Sequence, residues 1–183
     1  MKYLGSILLC ILLLLAVGCS KKVVVIKASP AETGRSQTID ASKANIQASN
    51  NHLEQAKMAY ARKKFKQAQK HCEKAIEFNH RNWEAHYYLG LSLQKRREYT
   101  VAIEQFGVCL KYSPKNNYLK SEIHYAIGVS WEELGDYKNA EQSYGKALAF
   151  NPENKMAQKA KNRIKIDKTM KGWGNRKKTR GEG

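Results

Sequence analysis

The sequence predicts an all-α protein, a solenoid of three helix-turn-helix repeats closed by a C-terminal capping helix. Three observations carry this. First, an aromatic residue, a small residue and then a small or Cys residue recur at fixed spacing, as Phe65, Ala68, Ala75, then Tyr99, Ala102, Cys109, then Tyr137, Ala140, Ala147. The second copy lies 34 residues after the first and the third 38 after the second, a period of stacked helical hairpins. Second, Leu89-Gly90 and Ile127-Gly128 mark the same place in two copies. Glycine inside a helix costs roughly 1 kcal/mol against alanine, which makes sense where a neighbouring helix passes close by. Third, Pro114 and Pro152 fall where a second helix must stop.

The elements follow in order. The first repeat, Ser49 to Asn82, pairs helices over 49–62 and 66–79. It has Ala56 at the glycine position, Cys72 where the later copies have Phe106 and Tyr144, and His80 at the closing position. The second, Trp83 to Asn116, pairs 83–96 with 100–113, and the third, Ser121 to Asn154, pairs 119–134 with 138–150 around a Gly135-Asp136 turn. Four extra residues, Asn117 to Lys120, either lengthen the loop before the third hairpin or add a turn to its first helix. Residues 155–168 read as a polar helix with one apolar stripe, Met156, Ala157, Ala160 and Ile164, with Ile166 an optional member. Such a helix covers the open face that a last hairpin would leave to water.

Residues 49–154 resemble the tetratricopeptide repeat, with its W-x-x-L-G-x-x-Y … A … F … A … P pattern; the third copy fits best and the first is degenerate. The resemblance implies a protein that binds other proteins and is not an enzyme. In that family the first helix of each pair lines the concave face. Carried over by position, this nominates Leu53, Lys57 and Tyr60, then Tyr87, Leu91, Gln94 and Lys95, then Tyr125, Val129, Glu132 and Glu133 as the partner-binding groove. Packing against the next hairpin is the other role open to Tyr87 and Tyr125. The chaperone-type members clamp a terminal carboxylate with Lys, Asn and Arg on these positions. Tyr125 and Val129 break that set, so a carboxylate clamp is not expected.

The front end points to export. Met1-Lys2 is followed by an apolar run from Ile7 to Val17, too short for a comfortable membrane span and laid out as a secretory signal. The small residues before Cys19 resemble the bacterial lipoprotein cleavage box. That resemblance implies a signal peptide over 1–18, cleavage after Gly18 and lipid (palmitate among the acyl chains) on Cys19. An uncleaved N-terminal anchor helix is the alternative. Several acyl chains would hold the protein on a membrane at about 0.8 kcal/mol per buried methylene. Ser20 in place of Asp leans towards the outer membrane and so to the periplasmic side of the envelope. Residues 19–48, rich in Ser, Thr, Ala, Gln, Asn and Lys, read as a flexible tether. A helix from about residue 40 that extends the first hairpin is the competing expectation.

Charge is uneven along a chain of net +17. The first two repeats, 48–116, hold thirteen basic and six acidic residues; the third, 117–154, reverses this with three and six; the end, 155–183, holds eleven and two. The tail, 169–183, is expected to be a disordered basic segment with Trp173 among its glycines. Nucleic acid is not expected as a partner of an exported protein, so anionic lipid or an acidic protein is the better match for such a tail.

Cys72 and Cys109 sit at core positions and read as buried thiols, on helices too far apart for a disulfide. His86 and His124 share a repeat position but lack a third ligand, so no metal is expected. No nucleophile, phosphate-loop or dinucleotide motif is present, and no cofactor is expected.

Two functions follow. The first is a membrane-anchored periplasmic adaptor that holds a segment of another envelope protein in its groove. Lipoproteins with such repeats serve in pilus or secretin assembly and in outer-membrane assembly. The second is a polyanion- or anionic-membrane-binding protein acting through its basic tail. Oligomeric state is not legible.

Overall fold

The computed structural model describes residues 30–166, with side chains from 41 onward. The chain divides into two compact units, 1–38 and 39–183. Of the first, only its helical end, 30–38, is described. The described residues form seven helices and no strands. They are α1 (Pro30–Ala61), α2 (Phe65–Phe78), α3 (Trp83–Lys95), α4 (Tyr99–Tyr112), α5 (Asn117–Glu133), α6 (Tyr137–Phe150) and α7 (155–166). The signal segment, Cys19, the tether up to residue 29 and the basic tail lie outside the described residues.

Each repeat closes on one contact between its two helices. A Cβ added to Gly90 would stand 2.6 Å from the Phe106 ring, and one added to Gly128 would stand 2.5 Å from the Tyr144 ring. Both rings are fully buried. The first repeat has a smaller pair at these positions, Ala56 and Cys72, buried in one core with Phe106. The degenerate copy thus exchanges volume across the contact, which keeps the packing dense.

The turn within each hairpin has one geometry. The amide nitrogens of Lys64, Glu98 and Asp136 donate to the carbonyls of Ala59, Leu93 and Trp131, each at 2.9 Å. Just before them Lys63 (φ 58°), Arg97 (φ 65°) and Gly135 (φ 80°) take the left-handed conformation. This is the Schellman ending, in which glycine is the unstrained residue.

Two expectations need correction. The tether was expected through residue 48, but α1 runs from Pro30, so 30–48 is helical, and earlier than the competing start near 40. From Ala41 to Gln47 its residues are exposed, so burial does not order that stretch. Ser49, Leu53, Ala56 and Ala59 are buried and supply a packed nucleus. Ala41, Lys43, Ala44 and Gln47 are good helix formers ahead of it, and extending a nucleated helix adds a hydrogen bond for each residue fixed. The second correction concerns the stripe on α7. Ala157, Ala160 and Ile164 are buried, whereas Met156 and Ile166 are about 60% exposed, at 59% and 60%. A helix touching the solenoid on one side buries a narrow strip, and positions 156 and 166 fall off it.

Candidate functional site

The asparagine that caps a following helix also ties two of the repeat junctions. Asn82 accepts from the Ala85 amide and donates to Ser49 Oγ at 2.8 Å; Ser49 Oγ in turn donates to the Ala75 carbonyl at 2.7 Å. Asn154 accepts from the Ala157 amide and donates to Ser121 Oγ at 2.9 Å. These groups are buried, so each bond also removes a desolvation cost. At the middle junction the serine position is Trp83 and the asparagine is Asn116. Asn116 still accepts from the Leu119 amide, but it is exposed, and an indole offers no acceptor to its amide. The four extra residues follow it directly and form the first turn of α5.

That turn builds a cleft. Lys57 of α1, Trp83, Glu84, Tyr87 and Tyr88 of α3, and Tyr118, Leu119 and Glu122 of α5 line a cavity of about 290 Å³. It draws on the first helix of all three repeats. Lys57 Nζ pairs with Glu84 at 2.7 Å and Glu54 at 2.9 Å and lies 5.8 Å from the centre of the Tyr88 ring. Burial alone would lower the Lys57 pKa, yet its hydrogen bonds to the two carboxylates carry it above the usual value. Burial, with the Glu122 carboxylate nearby, pushes the Tyr87 hydroxyl up to about 12. Tyr118 is 66% exposed and stands at the rim.

Of the nominated groove residues, Lys57 and Tyr87 meet in this cleft. Leu53 does not reach the surface. It is 5% exposed and belongs to a core cluster with Ala75 and Ala85, because its position on α1 faces the second hairpin. Tyr60 packs edge-on against Phe65 and Tyr88. Leu91 and Val129 are partly buried against the core. Tyr125 tilts onto Tyr144 at 5.7 Å, the packing role left open for it. Gln94 is committed to the middle junction, donating at 2.7 Å to the Ala126 carbonyl and to Ser130 Oγ. Lys95 is exposed at the end of α3. Glu132 takes a forked contact from Arg163, with Nη2 at 2.6 Å from Oε1, and accepts from the Tyr144 hydroxyl at 2.7 Å. Glu133 accepts from the Tyr99 hydroxyl at 3.0 Å. These last two carboxylates hold α4, α6 and α7 to α5, so the acidic end of the expected groove is largely structural.

The residues missed are Trp83, Glu84, Tyr88, Tyr118, Leu119 and Glu122. The extra four residues were visible as a signal, but where their side chains would point was not. Cys72 and Cys109 are free buried thiols, and burial pushes both up to about 12. Among the described residues no group of three or more His, Cys, Asp or Glu could hold a metal ion.

The tetratricopeptide repeat family matches residues 121–154 and, separately, 84–116. Each of these two segments matches a tetratricopeptide repeat. The solved Arabidopsis OM64 TPR domain is similar at 25% identity over 66% of this chain and 96% of that one, with a TM-score of 0.61. The first TPR of Spaghetti (RPAP3), bound to an HSP90 peptide, is similar at 14% identity over 68% and 95%, with a TM-score of 0.62. The type III secretion chaperone SycD of Yersinia enterocolitica, in complex with a peptide of the translocator YopD, is similar at 16% identity over 65% and 93%, with a TM-score of 0.58. The likeness to these last two concerns the fold. None of the curated proteins matches this chain in sequence.

Proposed function

We propose that this protein is a membrane-anchored adaptor of the bacterial envelope whose repeats hold an extended segment of another envelope protein, in pilus, secretin or outer-membrane assembly. The observation that carries the binding role is the tyrosine- and tryptophan-lined cleft spanning the first helices of three repeats. Aromatic side chains with a polar rim are the composition of protein-recognition surfaces. Solved repeats of the same fold hold peptides of HSP90 and of YopD, which supports a peptide as the ligand class. The anchor rests on the sequence around Cys19. Among the described residues no helix is long and apolar enough to cross a membrane.

The test is capture from solubilised envelopes with the full-length chain as bait. Tyr118→Ala removes an exposed ring and so spares the fold; it should lose the proteins that the parent captures. Unchanged capture by this variant and by Tyr87→Ala would remove the cleft from the account. Cys19→Ser should leave the protein unprocessed or release it from membranes, and full retention would favour an uncleaved anchor helix.

A second reading keeps support from charge. Lys155 and Lys159 are exposed on α7, which leads into the basic end of the chain. Under that reading the partner is a polyanion or an anionic membrane, and binding collapses between low and moderate salt.

A further inference from the structure

The junction between the first two repeats shows how this cleft holds a cation. Lys57 of one repeat meets Glu84 of the next at 2.7 Å, beside the Tyr88 ring. One repeat further on, the same two positions are Leu91 and Glu122. The carboxylate is kept and the ammonium is gone. Among the described residues Glu122 is partnered by the neutral Asn154 amide, which donates to Oε1 at 3.0 Å, and no cation pairs with it. The surroundings are otherwise suited to a positive charge. Trp83, Tyr87 and Tyr118 line the same cleft as Glu122, and Tyr118 is there because α5 begins one turn early.

We propose that the cleft between Trp83, Tyr87, Tyr118 and Glu122 takes a lysine or arginine side chain of the bound segment. Its charge rests on the Glu122 carboxylate and its methylenes lie on the aromatic rings and Leu119. The bound segment thereby supplies the cation that Lys57 supplies at the preceding junction. Cation–ring contact and burial of an aliphatic stem both favour lysine and arginine over a neutral residue. The assignment rests on the cleft being a peptide groove and adds the charge of what enters it.

The probes are four capped tripeptides, acetyl-Gly-X-Gly-amide with X as Arg, Lys, Gln or Glu. Each is titrated into full-length ¹⁵N-labelled protein in a nonionic detergent, following the Trp83 indole N–H and the Leu119 amide. The Arg and Lys peptides should give saturable shifts with dissociation constants on the order of millimolar, and the Gln and Glu peptides none. Glu122→Gln should weaken the Arg peptide about fivefold, as expected for a partly exposed ion pair. Leu91→Lys restores the Lys57–Glu84 pattern and should abolish the response. Equal response to Arg and Gln, no response to either, or an unaltered Glu122→Gln each overturn the assignment. A response that appears only when Arg176, Lys177, Lys178 and Arg180 are all changed to Gln overturns it too, since the cation then comes from this chain. If Tyr118→Ala loses envelope capture while the tripeptides fail, the groove stands and the cation falls.

Discussion

The outer junctions and the middle junction of this solenoid solve one problem in two ways. Between the first and second repeats, and between the third repeat and α7, a buried asparagine caps one helix and bonds a buried serine of the previous repeat. Between the second and third repeats the serine has become Trp83, and an added turn of α5 carries Tyr118 and Leu119. The outer joints are closed by buried asparagine–serine hydrogen bonds. The middle joint is closed by packing and by Gln94, and a cleft opens beside it. The joint without the polar clamp is the one at which the added turn of α5 brings Tyr118 and Leu119 to the proposed binding cleft.

The comparison breaks most visibly if packing is removed from the middle joint. Ile123 is fully buried in the core that α3, α4 and α5 share, so Ile123→Ala should cost about 2–5 kcal/mol, read by urea unfolding. Next come the clamps. Asn82→Ala or Asn154→Ala should each cost about 2 kcal/mol, because a helix cap is lost and a buried serine loses its donor. Asn116→Ala should cost about 1 kcal/mol or less, since an exposed cap is all it loses. Equal losses at the three asparagines would erase the distinction between the joints.

The hairpin turns offer a smaller effect of opposite sign. Arg97→Gly and Lys63→Gly should each stabilise by about 1 kcal/mol, while Gly135→Ala should destabilise by a similar amount. The smallest effect is on pH. Burial lowers the His124 pKa, with Lys146 and Lys120 adding to it, and burial likewise lowers that of His71, next to His52. Both imidazoles therefore resist a proton that the unfolded chain accepts near its usual pKa. Stability should be complete above that value and decline as the pH falls below it, seen as a lower Tm at pH 5 than at pH 7. His124, stacked on Phe150 at 5.5 Å, should account for part of the slope, so His124→Leu should flatten it.

The helices from α2 to α6 were legible because their signals are local and repeated. Gly90 and Gly128 could be read from the sequence as places of close helix approach, but that the Phe106 and Tyr144 rings fill them came from the structure. The early part of α1 was not legible, because the sequence there shows no apolar period. The groove was half legible. Position in the repeat brought Lys57 and Tyr87 to one cleft, but it also nominated Leu53, which is core, and Gln94, Glu132 and Glu133, which are engaged in holding helices together.

Periodicity along the chain settles how many helices the repeats have and where they turn, since both depend on neighbours within one repeat. Which polar groups are consumed by the structure and which are left to a ligand depends on atoms some 30 residues apart. Glu84 and Glu122 occupy the same position in two repeats and read alike. Their difference arises across the stack, where one meets the ammonium of Lys57 and the other accepts from an asparagine amide and lines the cleft.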